Sequence, residues 1–227
     1  MLTSPTQGYR ARLRSSLSLD EPRHRFCGPQ AFGGALCPNC RRPLHAFVTL
    51  DTTDTRLSLA ESPIGAFLPL LWCWSCPCAQ APFSYAVHQG SVSLLHYRKG
   101  RRTSDFPYDG YPDCFPGSGI RLVPVSTRTA SLIKAVHDGA STYPWRYRRA
   151  STPCHQIGGV PYLLQGTDYQ DGDSALLCPT CQQPMPLLAS IANRALDPRG
   201  LCGSDYVQVL FHLCRAHATV TAIQQCD

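Results

Sequence analysis

The chain has 227 residues, of which 43% are hydrophobic, 16% are charged and 13 are cysteine, and its formal net charge is +6. This length is enough to bury a core in one domain or in two small ones. The low charged fraction and the 20 prolines indicate short strands and ordered loops instead of long surface helices. No apolar run approaches the length of a membrane span, so no membrane partner is predicted.

Residues 1–26 are expected to form a loosely packed N-terminal extension. They lack the apolar segment of a secretory signal. Arg10, Arg12 and Arg14 stand among serines as in a transit peptide, but acidic residues follow closely, and no targeting segment is predicted. Cysteines without an export signal are typical of the reducing cytoplasm, which is the predicted location.

A Cys-Pro-Asn-Cys motif begins at Cys37, and a second cysteine pair, Cys73 and Cys76, follows after 32 intervening residues counted from Cys40. Zinc prefers four tetrahedral ligands and favours thiolate and imidazole. A CxxC turn brings two sulfurs close enough to share one ion, and proline after the first cysteine suits such a tight turn. We predict a zinc site made by Cys37, Cys40, Cys73 and Cys76. Cys78 is an alternative to Cys76 as the fourth ligand.

Strands are predicted on both sides of these cysteine pairs. Residues 44–50 alternate as a half-buried strand does, and residues 67–74 form an apolar run suited to a buried strand. Alternation at 83–87 and again at 92–96, separated by Gln89 and Gly90, predicts a hairpin.

Residues 98–149 are predicted to be a linker that contains one helix. The helix should span 127–137, with Ser126 or Thr127 as its cap and Gly139 after its end. His137, at the helix end, is expected to be a packing residue and not a ligand.

Two basic clusters, at 98–102 and 146–149, raise the possibility of nucleic-acid binding. Solvated loops are the favoured interpretation, because the rest of the chain is not strongly basic. The position of the arginines discriminates between the two partners. One continuous arginine face would favour nucleic acid, and arginines scattered over loops would favour a protein.

The zinc motif returns as Cys-Pro-Thr-Cys. Every ligand position is displaced by 141 residues: 37 to 178, 40 to 181, 73 to 214 and 76 to 217. We predict a second zinc site made by Cys178, Cys181, Cys214 and His217. Four protein ligands leave no open position, so both zinc ions are expected to be structural. The other six cysteines, Cys27, Cys78, Cys114, Cys154, Cys202 and Cys226, are expected to be free thiols; disulfides are disfavoured by the odd cysteine count.

Further strands are predicted at 162–164, 185–191, 207–213 and 218–224. The predicted fold is mainly β with few helices (α+β). It consists of two pseudo-repeated β lobes, 27–97 and 150–227, each pinned by a zinc-ribbon-like site.

The segment from His155 to Gln165, followed by CPxC and a later ligand pair, resembles the YwqG-like bacterial family of unknown function. The family's GGxP element matches Gly158-Gly159-Val160-Pro161, its glutamine matches Gln165, and an earlier glycine pair matches Gly33-Gly34. The resemblance covers roughly residues 27–97 and 150–227. It implies a β-rich, internally duplicated fold with zinc-bearing relatives, and it implies no catalytic residues.

The predicted function is a non-enzymatic, zinc-stabilised module that binds another protein, with an immunity or antitoxin-like role in a bacterial conflict system as one form of it. The alternative is a nucleic-acid-binding zinc-ribbon protein that uses the arginine clusters. An enzyme is not predicted, because no Ser-His-Asp order, HExxH motif or phosphate loop is present. Adjacent Cys154 and His155 would point to opposite faces of a strand, which argues against a catalytic pair.

Overall fold

The computed structural model describes residues 7–14, 23–60, 62–76, 82–97, 113–139, 154–165, 176–192 and 207–226. In this part of the chain, no helix has the length and apolar composition needed to cross a bilayer. Both basic clusters and Cys78 lie outside the described residues.

The elements follow one another in the order β1 Tyr9–Leu13, β2 Arg25–Phe26, β3 His45–Asp51, a 3-10 turn Thr55–Leu57, β4 Phe67–Trp72, β5 Phe83–His88, β6 Ser91–His96, β7 Ser118–Pro124, α1 Thr127–His137, β8 Gln156–Ile157, β9 Leu187–Ala192, β10 Val207–Cys214 and β11 Thr219–Cys226. The prediction of a mainly β fold with few helices is confirmed, since the described residues contain eleven strands and one α-helix.

All eleven strands belong to one sheet, in the order β4-β3-β2-β7-β1-β8-β9-β10-β11-β5-β6. Each pair of neighbouring strands is antiparallel. The sheet curls around one apolar core, in which Phe47 of β3 contacts both Trp74 and Phe211 of β10.

The predicted hairpin at β5 and β6 is confirmed, and both residues of its turn, Gln89 and Gly90, have positive φ. The predicted buried strand is β4. Strand β3 is more buried than expected from its alternation, because only Thr49 is partly exposed. Both faces of β3 are covered, so its pattern describes the core poorly.

Strand β1 lies in the middle of the sheet, between β7 and β8. The expectation that residues 1–26 are loosely packed is therefore wrong for this strand. Ala11 packs against the core while Arg12 is exposed, so the arginines mark one face of an amphipathic strand. Strand β7 likewise lies within the sheet, although it falls inside the predicted linker.

The predicted strand at 162–164 does not form. Leu163 is buried, but its N–H donates to Nε2 of His137 at 3.3 Å, and the N–H of Leu164 donates to the side chain of Gln208 at 3.0 Å. Side chains replace a neighbouring strand as backbone partners here. Helix α1 is confirmed with Ser126 as its cap, and His137 at its end packs as predicted.

Candidate metal centres

The first cluster joins the start of β3 to the end of β4. Cys37 and Cys40 precede β3, and Cys73 and Cys76 follow β4. Because the two strands pair antiparallel, these ends lie side by side. The four Sγ atoms lie within 4.8 Å of one another, so the cluster could hold a metal ion.

The sulfur separations fit one tetrahedral ion. Sγ of Cys76 lies 3.5 Å from Sγ of Cys37 and 3.4 Å from Sγ of Cys73, and Cys40 and Cys73 are 3.8 Å apart. A zinc–sulfur bond of about 2.3 Å gives a tetrahedral edge of about 3.8 Å. A disulfide needs about 2.05 Å, and the described cysteines form none.

The backbone shapes the first knuckle. The N–H of Arg41 donates to the carbonyl oxygen of Cys37 at 2.9 Å, and the N–H of Cys37 donates to that of Arg42 at 2.8 Å. Arg41 takes the left-handed conformation, with φ of 65°. The Asn39 amide also donates to Sγ of Cys76 at 3.4 Å, which would stabilise a thiolate there.

The second cluster joins the start of β9 to the β10–β11 turn. Cys178 and Cys181 precede β9, Cys214 ends β10, and His217 lies in the turn. Sγ of Cys214 is 3.8 Å from Sγ of Cys181 and 3.5 Å from Nδ1 of His217. The four ligand atoms again lie within 4.8 Å of one another. All eight predicted ligands therefore fall into the two predicted sets.

The hydrogen bonds of the first knuckle recur at positions displaced by 141. The N–H of Gln182 donates to the carbonyl oxygen of Cys178 at 2.8 Å, and the N–H of Cys178 donates to that of Gln183 at 2.9 Å. Gln182 has φ of 57°, as Arg41 has 65°. The strand registers correspond too: Ala46 pairs with Leu71, and Leu187 pairs with His212.

A pair of histidines that sequence reasoning did not single out fastens the far ends of β3 and β9. Asp51 donates its N–H to Nδ1 of His24 at 3.0 Å, and Ala192 donates its N–H to Nδ1 of His155 at 3.3 Å. Asp51 and Ala192 are the last residues of their strands. The signal was a histidine three residues before a left-handed turn, in HRFCG and HQIGG, but its displacement of 131 residues hid it.

Burial disfavours ionised thiols in both clusters. It raises the pKa of Cys40 to about 11 and that of Cys214 to about 11. Hydrogen bonding with Cys37 and Cys76, together with burial, raises the pKa of Cys73 strongly. Burial also acts to raise the pKa of Cys178, but donors such as the backbone N–H groups of Cys181 and Thr180 lower it overall. Several thiolates in one buried cluster require a compensating cation, and a divalent metal supplies it.

The remaining described cysteines lie outside the clusters. Cys27 is buried, Cys154 is partly buried and Cys114 is exposed, and none of the three forms a disulfide. This agrees with the expectation of free thiols for these three. Cys202 and the side chain of Cys226 lie outside what the structure describes.

No protein-family model matches the chain, and a search of curated proteins finds no match. The resemblance to the YwqG-like family therefore stays a prediction.

Proposed function

We propose that this protein is a non-enzymatic binding module whose β scaffold is held by two structural zinc ions. The observation that carries the proposal is the pair of four-ligand clusters, with sulfur–sulfur and sulfur–nitrogen separations of 3.4–3.8 Å. Thiolate and imidazole ligands at tetrahedral spacing suit zinc better than magnesium or calcium, which prefer oxygen.

Each zinc would join two segments that are distant along the chain. Cys37 and Cys40 would be tied to Cys73 and Cys76 at the open ends of β3 and β4. With all four positions taken by protein, the ion would have no site for water or substrate. Its contribution would be to folding free energy.

We further propose that the clusters belong to two equivalent halves. The shared displacement of 141 residues in ligands, knuckle hydrogen bonds and strand register supports this. The backbone bonds of the neighbouring turns also correspond: the N–H of Cys27 donates to Phe47 at 2.9 Å, and the N–H of Gly158 donates to Leu188 at 2.7 Å. The domain boundaries predicted from the sequence rest on the same argument.

A rigid scaffold of this kind suits recognition. A cytoplasmic protein partner, including an immunity or antitoxin-like role, is proposed from composition and from the family resemblance. Nucleic acid is the second candidate, and it is favoured by a specific observation, namely exposed arginines on one face of the sheet (Arg12, Arg25 and Arg121).

Elemental analysis of the purified, reduced chain tests the zinc proposal. Two zinc ions per chain are expected, one fewer in Cys37→Ser and one fewer in Cys178→Ser. Cys154→Ser removes a thiol outside both clusters and should keep two. A wild-type chain that carries iron in place of zinc, or at most one ion, would overturn the proposal.

A further inference from the structure

Four arginines converge on one face at the centre of the sheet. Arg12 of β1 lies directly opposite Arg121 of β7, and Arg10 lies two residues before Arg12 on the same face. Arg25 of β2 lies opposite Gly119, which is two residues before Arg121. Residues opposite each other in an antiparallel pair share a face, and neighbouring strands are about 4.8 Å apart. We call Arg10, Arg12, Arg25 and Arg121 the arginine face.

This face points to solvent. Arg12, Arg25 and Arg121 are exposed and Arg10 is partly exposed, whereas Ile120 and Leu122, on either side of Arg121, are buried in the core. The alternation along β7 thus separates an apolar inner side from a basic outer side. Gly119 has no side chain and leaves the space between β2 and β1 open.

The charges of the arginine face are not compensated by described carboxylates. The ion pairs in this part of the chain are His24–Asp54, Arg56–Asp54 and Lys134–Asp138, and none includes the arginine face. Like charges directly opposite each other destabilise a sheet, so the Arg12–Arg121 pair is unfavourable unless an anion binds it. A positive potential also reaches Cys154: burial raises the pKa of this thiol, while Arg10 and Arg12 act to lower it.

The chemistry of the face selects phosphates in a row. Guanidinium groups bind phosphate through two parallel hydrogen bonds, and charges spread over three strands fit a polyanion better than one small anion. The other residues on this side, Gly119 and Val123, are not aromatic. Single-strand binders stack bases on aromatic side chains, whereas a duplex presents its phosphates and hides its bases.

We infer that the arginine face binds the phosphate backbone of double-stranded DNA without sequence preference. The inference rests on the proposed binding-module function and names its partner. Each arginine that neutralises a phosphate adds about 0.9 to the slope of log affinity against log salt concentration.

The test measures binding of the zinc-loaded full chain to a labelled DNA duplex between about 50 and 200 mM salt. The variant R12Q/R121Q should weaken binding to unrelated duplexes alike and lower the salt slope by about 2. The matched control R128Q/K134Q removes the same charge from exposed positions on α1 and should bind like wild type. Zinc content and melting temperature confirm that both variants fold.

Equal salt slopes for the two variants would overturn the inference, as would no duplex binding at about 50 mM salt. Tighter binding to one separated strand, to anionic lipid vesicles or to a protein partner through this face would also overturn it. None of these results would remove the zinc ions, so failure here is distinguishable from failure of the zinc proposal, which elemental analysis decides.

Discussion

The hydroxyl of Tyr85 seals the edge of β4 by accepting a hydrogen bond from the N–H of Leu71 at 2.7 Å and donating one to the carbonyl oxygen of Pro69 at 2.9 Å. Strand β4 has β3 on one side only. Burial raises the pKa of Tyr85 well above its usual value, so the hydroxyl stays protonated and keeps both roles.

Tyr85→Phe should therefore lower the free energy of unfolding by about 1–3 kcal/mol, because it leaves a buried N–H and carbonyl oxygen without this partner. Chemical denaturation measures the effect. Tyr97→Phe, at an exposed tyrosine, should be neutral. Equal stability of the two variants would show that β4 satisfies its edge in another way.

Loss of one zinc ligand should destabilise the whole sheet. Cys178→Ser is expected to lower the free energy of unfolding by about 3 kcal/mol or more, roughly 6–12 °C in melting temperature for a chain of this length. Scanning calorimetry measures the shift, and a chelator added to wild type should reproduce it. Cys154→Ser should melt within a degree or two of wild type, and a Cys178→Ser melt that matches it would contradict a structural metal.

Replacing one of two facing arginines should stabilise the fold while weakening DNA binding. Arg12→Glu puts opposite charges across from each other at Arg121, which is worth about 0.2–1 kcal/mol in a sheet. The gain should shrink at high salt because the pair is exposed. Thermal denaturation at low and high salt tests this, with Arg12→Gln giving a smaller gain. A destabilised Arg12→Glu would mean that Arg12 already has a compensating partner.

Stability should decline as the pH falls below about 6.5. Burial lowers the pKa of His24 and of His212 below 6.5. The unfolded chain then takes up protons first, so stability is complete above the unfolded pKa and is lost as pH falls toward the folded pKa. His212 donates from Nδ1 to the carbonyl oxygen of Met185 at 2.9 Å, and its buried Nε2 has no described partner to receive a second proton.

His212→Gln should accordingly flatten the stability profile between about pH 5 and 7, even if it lowers stability at neutral pH. Urea denaturation at fixed zinc content gives the profile. His96→Gln changes an exposed histidine and serves as the control. A steep profile retained in His212→Gln would assign the decline to other groups, such as His24.

Thiol reactivity should separate the cysteines outside the clusters. Burial raises the pKa of Cys154, whereas Cys114 is exposed. Because the thiolate is the nucleophile, alkylation should modify Cys114 well before Cys154. Peptide mapping after brief treatment of zinc-loaded protein measures the order. Faster modification of Cys154 would show that the neighbouring Arg10 and Arg12 outweigh its burial.

Local patterns predicted the elements that are held by local contacts. The knuckles, the hairpin at Gln89 and Gly90, and helix α1 with its Ser126 cap were all recognisable from spacing and turn chemistry. The eight ligands were grouped correctly because zinc imposes a strict geometry on residue type and separation.

The missed elements depend on distant partners. Strand β1 reads as a charged segment until β7 and β8 cover its edges, and β2 and β8 have two residues each, too few to show alternation. The 162–164 segment has the composition of a strand, but Gln208 and His137 take its backbone N–H groups. The arginine face exists only after β1, β2 and β7 come together, so no single stretch of sequence displays it.

The crossing of β1 into the centre of the sheet also dictates an order of assembly during synthesis. Tyr9 is among the first residues made, yet its cross-strand partners are Pro124 and Ile157. The ligands from Cys37 to Cys76 can meet while the ribosome is still translating the middle of the chain, whereas β1 must wait for most of it. The arginines of β1 would therefore be the last part of their face to be placed, and duplex binding should begin only when translation is nearly complete.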